Sequence, residues 1–201
     1  MVAQPSQPHY MTVNQWRELE ERSYDVKHEY IDGQVYAMAG GNLAHSRVSI
    51  NVLKALDAVL GRGSCRAYNS DAAVRLSSTR YTYPDATVTC DERDLPTTKV
   101  REIKAPRLVV EVLSDSTEAY DRGEKFGYYR ECPTLEEYVL VNTKRQLVEV
   151  FRRTAEGWTT YHVYEPGDEV ELLSIDGNIP IATFYEATDV PEISIRTKGK
   201  V

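Results

Sequence analysis

One apolar run that contains a single acid constrains the fold more than any other feature of the chain. Residues 108–113 read Leu-Val-Val-Glu-Val-Leu, so Glu111 interrupts an otherwise continuous hydrophobic segment. Runs of this kind are typical of strands that are buried on both faces of a sheet. A carboxylate in such a strand is costly unless it is paired or bound to a metal ion. We therefore expect a central strand, and for Glu111 either a functional role or a buried ion pair.

Helix signals occur before and after this strand. A short helix is predicted over residues 12–22, where Thr12 can act as the N-cap. A longer helix is predicted over residues 43–60, with Asn42 as its N-cap and glycines at its end. Residues 114–117 offer several capping side chains, and a third helix is expected to follow them to about Arg130, ended by Pro133.

Strand signals are more numerous than helix signals. The turn dipeptide Asp32-Gly33 joins the runs 27–31 and 34–38 in the pattern typical of a β-hairpin. Further strand-like runs are 65–68, 72–76, 86–90, 137–141, 146–152, 158–164, 168–173 and 179–184, while 91–104 reads as a loop. This order of elements predicts a mixed α/β fold, in which one sheet is flanked by helices and extended by antiparallel strands.

Length, hydropathy and charge exclude several classes of protein. The 201 residues suit one domain, which we place at residues 12–187, between a disordered segment at 1–11 and a loose tail at 188–201. No apolar run approaches the ~20 residues of a membrane-spanning helix, and no signal-peptide pattern opens the chain, so we expect a cytoplasmic protein with no membrane partner. The formal net charge of -7 argues against a protein that coats nucleic acid by bulk charge.

The cysteine count points to a reducing, intracellular setting. The three cysteines, Cys65, Cys90 and Cys132, are widely spaced and odd in number. Because no Cys-X-X-Cys spacing occurs, the sequence predicts neither a zinc cluster nor a disulfide framework. We expect Cys90 to be a small core residue at the end of its strand.

A second acid and a lysine complete the most specific set of candidate site residues. Asp85 follows Pro84 and enters the strand 86–90, which can lie beside the strand that carries Glu111. Two inward acids on adjacent strands can hold a hard cation such as Mg²⁺ through oxygen atoms. Lys125, four residues after Asp121, is either an ordinary helix-surface ion pair or an ammonium that returns to Glu111 and steadies a phosphate or a water molecule.

Two weaker candidates lie in the N-terminal half. Glu29, in the first hairpin, is either a third carboxylate of the site or an ordinary solvated strand acid. His45 lies in the first turn of the helix 43–60, where an anion would be stabilised by the helix N-terminus. A single histidine in such a position is more often structural.

These residues resemble a known family. The segments Tyr83–Ala86 and 106–117, with Asp121 and Lys125 after them, resemble the bacterial putative restriction endonuclease family of the PD-(D/E)XK nuclease superfamily. The resemblance extends from about residue 12 to 186. The superfamily pattern places a lysine two residues after the second acid, where this chain has Leu113. The resemblance implies that a lysine of the following helix, Lys125, takes that role.

The resemblance also implies a fold and a reaction. The fold would be a restriction-endonuclease-like mixed β-sheet flanked by helices, and the reaction metal-dependent hydrolysis of DNA phosphodiester bonds. Asp85 and Glu111 would hold Mg²⁺, or Mn²⁺, with help from the Val112 carbonyl and Glu29, and Lys125 would assist the attacking water or the phosphate. The residues expected to contact substrate are His45, Asp121 and Arg107.

Three hypotheses follow from this sequence. The first is a Mg²⁺-dependent DNA endonuclease that acts as a homodimer, because no separate target-recognition domain is evident. The second is a nuclease-like fold that binds nucleic acid or a protein without cutting. The third is a structural domain in which Glu111 and Lys125 form an ion pair without a metal. Convergence of the Asp85 and Glu111 carboxylates would exclude the third hypothesis, and a Lys125 side chain that points to solvent would favour the second.

Overall fold

A computed structural model of the protein describes residues 10–38, 40–95, 98 and 100–194. The helices are α1 Val13–Arg22, α2 Leu43–Leu60, α3 Glu118–Tyr120, α4 Phe126–Glu131 and α5 Ile181–Phe184, with a π-helical turn at Asp121–Lys125 and 3₁₀ turns at Glu92–Asp94 and Leu173–Ile175. The strands are β1 His28–Ile31, β2 Gln34–Ala37, β3 Arg66–Asn69, β4 Ala73–Arg75, β5 Arg80–Thr82, β6 Ala86–Thr89, β7 Glu102–Ile103, β8 Pro106–Val112, β9 Glu137–Val141, β10 Val148–Thr154, β11 Gly157–Tyr164, β12 Glu169–Leu172 and β13 Gly177–Pro180.

Strand β8 lies inside a six-stranded mixed sheet. The strand order is β11-β10-β9-β8-β6-β3, and β8 runs parallel to β9 and antiparallel to β6. Val110 and Val112 belong to the hydrophobic cluster that α2 covers, whereas Val109 and Leu113 belong to the cluster around Tyr129 of α4. The expected central strand and the mixed α/β fold with flanking helices are therefore confirmed.

A second sheet brings the N-terminal hairpin to the same region. Its order is β2-β1-β5-β4-β7, and α1 packs on it through Trp16, whose ring lies 4.7 Å from that of Tyr81. Asp32 and Gly33 both have positive φ, as a tight Asp-Gly hairpin turn requires. This sheet determines the position of Glu29 on β1. A separate two-stranded sheet, β12-β13, contacts α2.

The two predicted N-terminal helices form as their capping residues indicate. The Thr12 side chain accepts a hydrogen bond from Gln15 N, and the Gln15 side chain reaches back to the cap in a capping box. Asn42 Oδ1 accepts a hydrogen bond from His45 N at 2.9 Å, and α2 ends where Gly61 adopts a positive φ.

Two element predictions need correction, and a third needs a refinement. The run 179–184 is not one strand, because β13 ends at Pro180 and a helical turn follows that buries Ile181 and Phe184, three residues apart. The segment 91–104 is not wholly irregular, because it includes a 3₁₀ turn and the short strand β7. The third helix begins at residue 118, directly after the predicted caps, and it contains a π-helical turn that the sequence pattern did not indicate.

The cysteine prediction is wrong for two of the three residues. A disulfide joins Cys65 and Cys90, whereas Cys132 is a free, buried thiol. Strands β3 and β6 are antiparallel with Arg66 opposite Thr89, so the next residues outward are the two cysteines. Sequence spacing does not reveal this pairing, because it depends on the register of two strands that are 25 residues apart.

The packed part of the chain extends beyond the predicted domain limits. Val190 is buried, and the Pro191 carbonyl accepts a hydrogen bond from Gln146 N at 2.9 Å, so the tail is not loose from residue 188 onwards. At the other end, the Met11 carbonyl accepts a hydrogen bond from the Tyr30 hydroxyl. The rest of the predicted disordered segment, residues 1–9, lies outside the described residues. Across the described ranges, every helix is too short or too polar to cross a membrane.

Candidate active site

Glu111 lies near the C-terminal end of β8, on the face of the sheet that α4 covers. Its side chain is 4% exposed. One carboxylate oxygen, Oε1, accepts a hydrogen bond from the Tyr129 hydroxyl at 2.9 Å and lies 3.0 Å from Lys125 Nζ. The single acid of the apolar run therefore has both a charged and a neutral partner, which offset the cost of its burial.

Lys125 is the centre of a buried group of carboxylates. Its Nζ lies 2.8 Å from Glu29 Oε1, 3.0 Å from Glu111 Oε1 and 3.8 Å from Asp121 Oδ1. The lysine is the last residue of the π-helical turn, a feature that often occurs at functional sites. The helix therefore turns Lys125 back to the sheet, and all four side chains are buried.

Glu29 reaches this group from the other sheet. It is buried on β1, and its Oε1 also accepts a hydrogen bond from Tyr83 N at 3.3 Å. The alternative of an ordinary solvated strand acid does not hold, because its charge is shielded from water and paired with Lys125.

Asp85 lies immediately before β6, the antiparallel neighbour of β8. It lies one residue before Ala86, which pairs with Val110, so Asp85 is next to Glu111 in the register of the two strands. Its Oδ2 accepts a hydrogen bond from Val112 N at 2.8 Å.

Helix α2 supplies two further groups to Asp85. His45 Nε2 lies 3.5 Å from Asp85 Oδ2, and the Ser49 hydroxyl donates to Asp85 Oδ1 at 3.4 Å. The hydrogen bond to Asp85 raises the pKa of His45; burial opposes this shift, and a hydrogen bond with the Val112 backbone supports it. His45 is thus oriented between the Asp85 carboxylate and the end of β8.

The site is richer in acids than in cations. Four carboxylates, those of Glu29, Asp85, Glu111 and Asp121, act electrostatically on one another around Lys125. Burial raises the pKa of Glu111 well above its usual value, against the effect of Lys125, and the neighbouring acids raise it further. Burial alone would lower the pKa of Lys125, but Glu111, Glu29 and Asp121 together raise it, so the lysine stays charged.

A cavity of about 370 Å³ opens beside this group. Its lining residues are Glu29, Tyr36, Ala37, Met38, Ser116, Thr117, Tyr120, Asp121, Glu124 and Lys125. The cavity lies between the β1–β2 hairpin and the segment that follows β8, so three buried charged groups of the site line one of its walls.

Comparison with known proteins identifies the family. The family model of Uma2, described as "Putative restriction endonuclease", matches residues 13–182. The chain belongs to the Uma2 family. This membership confirms the resemblance to the bacterial restriction endonuclease family and supports a nuclease activity in general terms.

Relatives of this Uma2 protein cover most of its length. It is 41% identical over 172 residues to the uncharacterized protein slr1290 of Synechocystis sp., a match that covers 85% of this chain and 87% of the relative. It is 28% identical over 164 residues to sll1609 of the same organism, covering 81% and 92%. A crystal structure described as a putative nuclease of DUF820 from Anabaena variabilis has the same fold, with a TM-score of 0.70 at 18% identity, covering 87% of this chain and 97% of that one.

The donor atoms of this Uma2 site fit a divalent cation that keeps several water ligands. Within the described ranges, no three His, Cys, Asp or Glu side chains are arranged to hold a metal ion by themselves. The Asp85 and Glu111 carboxylates and the Val112 carbonyl are hard oxygen ligands, and Mg²⁺ is usually bound by one or two carboxylates with water and phosphate. Three carboxylates lie within 4 Å of the single Lys125 ammonium, and Asp85 lies beside them, so a bound cation would offset the excess of acidic groups.

One expected substrate contact lies elsewhere in the Uma2 fold. Arg107 is four residues before Glu111 on β8, a distance of about 13 Å along an extended strand. Its partner is Glu136, with Arg107 Nε 3.4 Å from Glu136 Oε1. The structure brings Glu29, His45 and Asp121 to the site but does not bring Arg107.

Sequence reasoning missed Tyr129 and Ser49 as parts of this site. A signal for Tyr129 was present, because Asp121, Lys125 and Tyr129 follow one another at intervals of four residues and therefore lie on one helix face. Ser49 likewise lies four residues after His45, and its single O–H is shared between the His45 carbonyl at 2.9 Å and Asp85 Oδ1 at 3.4 Å. Neither spacing alone identifies a site residue, because a spacing of four residues occurs throughout any helix.

Proposed function

We propose that the protein is a Mg²⁺-dependent endonuclease that hydrolyses phosphodiester bonds of DNA. The observation that carries the proposal is the buried Lys125 ammonium, within hydrogen-bond distance of Glu111 and Glu29 and at the end of β8 where Asp85 also lies. In a chain of the Uma2 family, two acids and a lysine at one strand end provide the groups that phosphoryl transfer requires.

The acids of the site would bind the cation. Asp85 and Glu111, with the Val112 carbonyl and support from Glu29, would hold Mg²⁺, or Mn²⁺ in its place. When bound, the ion would polarise a phosphoryl oxygen and lower the pKa of a coordinated water molecule. His45 and Ser49 hold the Asp85 carboxylate in position, since both contact its oxygens from α2.

The Lys125 ammonium would also act on the substrate. An ammonium carries three N–H groups, and two of them are within hydrogen-bond distance of Glu29 and Glu111. Asp121 lies at 3.8 Å, beyond an ordinary hydrogen bond. One N–H of the ammonium would donate to a phosphoryl oxygen or orient the attacking water, and its positive charge would stabilise the transition state.

Cleavage assays with matched variants test this proposal. Supercoiled plasmid and single-stranded DNA are incubated with Mg²⁺, Mn²⁺ or EDTA, and Glu111→Gln and Lys125→Met are compared with the wild type. We expect metal-dependent cleavage that falls by about 100-fold or more in both variants. Glu137→Gln is the control, because Glu137 is equally buried and ion-paired, with Arg152, but lies outside the site.

Two outcomes would contradict the proposal. Cleavage that persists in Glu111→Gln at the wild-type rate would show that the activity comes from a contaminant or from another site. A folded wild-type protein that cuts neither substrate with any of these metals would favour a nuclease-like fold that binds nucleic acid or a protein without cutting.

We also propose that the protein forms a homodimer. Strand β11 lies at the edge of the six-stranded sheet and pairs with β10 on one side, so its other edge can accept a strand from a second copy. Sedimentation equilibrium should give twice the monomer mass of 22.9 kDa. A single species of monomer mass at micromolar concentration would rule the dimer out.

The cytoplasmic location stays a prediction, and the disulfide argues against the reducing setting on which it partly rests. Disulfides persist mainly in oxidising compartments and are usually transient in the cytosol. Alkylation of free thiols during cell lysis, followed by mass spectrometry of Cys65 and Cys90, would show whether the bond exists in the cell.

A further inference from the structure

We infer that the cavity beside Lys125 is a subsite for an unpaired nucleobase of the strand that is cut. This inference rests on the proposed function, because it assigns the nucleotide next to the scissile phosphate to a place in the site. It goes further by naming the substrate class, which is single-stranded or locally unpaired DNA.

The volume and lining of the cavity suit a nucleobase. Its volume of about 370 Å³ is within the range of small-ligand sites, roughly 300–1,000 Å³. Tyr36 and Met38 come from the N-terminal hairpin, and Tyr120 comes from the segment after β8. The Tyr36 side chain is 47% exposed although it is a large aromatic group, and its hydroxyl donates to the Gln34 side chain. Exposed aromatic rings at a cavity wall are the usual surface on which unpaired bases stack.

The charges of the cavity exclude a phosphate and favour a neutral, hydrogen-bond-donating group. Three carboxylates, those of Glu29, Asp121 and Glu124, line it against the single ammonium of Lys125. A phosphate would be repelled there, whereas the exocyclic amino groups of adenine, cytosine or guanine can donate hydrogen bonds to carboxylates. The phosphate is left to the Asp85 and Glu111 side of the site, where the cation would bind.

The cavity lies next to the groups that would act on the scissile phosphate. Lys125 Nζ lies 6.0 Å from the centroid of the Tyr120 ring and 3.0 Å from Glu111 Oε1. A base on Tyr120 would therefore be one nucleotide unit from a phosphate that contacts Lys125. Because a paired base is stacked inside the duplex, it can enter such a cavity only when it is unpaired or flipped out.

Binding measurements with tyrosine variants test the subsite. A fluorescein-labelled single-stranded oligonucleotide and its duplex are titrated with protein in Ca²⁺, which replaces Mg²⁺ to limit cutting, and anisotropy is recorded. We expect the wild type to prefer the single strand, and Tyr36→Leu and Tyr120→Leu each to weaken single-strand binding by roughly 5- to 100-fold. Duplex binding should change little.

Controls separate the loss of an aromatic ring from misfolding. Tyr24→Leu removes a ring that is 94% exposed and outside the cavity, and it should bind as the wild type does. Tyr36→Phe and Tyr120→Phe keep the ring and should retain most of the single-strand affinity. Each variant is first shown to unfold cooperatively on heating.

The outcomes distinguish failure of the subsite from failure of the proposed function. If the wild type cuts DNA but the leucine variants bind single strands as Tyr24→Leu does, the subsite is wrong and the nuclease stands. If the wild type cuts nothing but the leucine variants lose single-strand binding, the nuclease is wrong and the base-binding cavity stands. Equal weakening of single-strand and duplex binding would also overturn the subsite.

Discussion

At the scale of residues, the site depends on one ammonium that balances several buried acids. Lys125 contacts Glu29 and Glu111 directly, and its pKa is raised because the surrounding carboxylates outweigh its burial. An unpaired buried carboxylate is costly, so the lysine stabilises the fold as well as serving the proposed reaction. A loss of activity in a Lys125 variant must therefore be compared with the loss of stability of the same variant.

Replacement of Lys125 by methionine should destabilise the fold in a pH-dependent way. At about pH 8 we expect a loss of about 3–5 kcal/mol in the free energy of unfolding, because Glu29 and Glu111 remain buried without a counter-charge. The raised folded pKa of Glu111 means that the folded state binds more protons than the unfolded state as the pH falls. The deficit should therefore shrink towards about pH 5.

Urea denaturation of both proteins across this pH range measures the deficit. Lys125 itself should stay charged over this range, because its pKa is raised above the usual lysine value, so a change in the deficit would come from the carboxylates. A deficit that is the same at both ends of the range would show that the carboxylates are not the cause.

Tyr129 is expected to set the pH range over which Glu111 works. Its hydroxyl donates to Glu111 Oε1, and a hydrogen bond to the charged form of an acid lowers the pKa of that acid. Tyr129→Phe should therefore raise the pKa of Glu111 and move the acid limb of the kcat/KM profile to higher pH. Tyr138→Phe is the control, because its buried hydroxyl donates to the Asp121 carbonyl instead. A uniform loss of activity at every pH would mean that Tyr129 has only a packing role.

The sequence predicts those residues of the site whose chemical type is unusual for the element that carries them. Glu111 could be predicted because an acid is unusual in an apolar strand. Asp85 and Lys125 could be predicted because they match a family pattern around that strand. Arg107 is close to Glu111 in sequence, but the distance along β8 separates it from the acids and the lysine of the site, so its expected substrate contact stays a prediction. The hydroxyl groups of Tyr129 and Ser49 have only a four-residue spacing as a local signal, and that spacing occurs in any helix.

At the scale of elements, local signals determine where the helices begin and end, whereas long-range packing determines the strand register and the ambiguous apolar runs. The bounds of α2 follow from the Asn42 cap and Gly61, which act within a few residues. The run 179–184 contains apolar residues that suit a strand or a helical turn equally, and only its packing decides. The register of β3 and β6 brings Cys65 and Cys90 together, and no local signal reports it.

The disulfide provides the prediction at this scale. Cys65→Ser should lower the free energy of unfolding by about 3 kcal/mol, because the bond closes a loop with a sequence separation of 25 residues. Thermal melts with and without dithiothreitol test this. The reductant should lower the melting temperature of the wild type towards that of the variant and leave the variant unchanged. A wild type that is insensitive to dithiothreitol at exhaustive reduction would show that the bond does not stabilise the fold.

At the scale of the whole molecule, the net charge of -7 limits how the protein can bind DNA. An acidic surface repels the phosphate backbone, so affinity must come from a few local contacts, the bound cation and base stacking. The logarithm of the association constant for single-stranded DNA should fall with the logarithm of salt concentration with a slope of about -2, as for two or three phosphate contacts. Anisotropy titrations over a series of KCl concentrations measure this slope, and affinity should rise when Ca²⁺ is added. A slope steeper than about -5 would require an extended basic surface, and it would move the DNA contact away from the acidic face around Lys125.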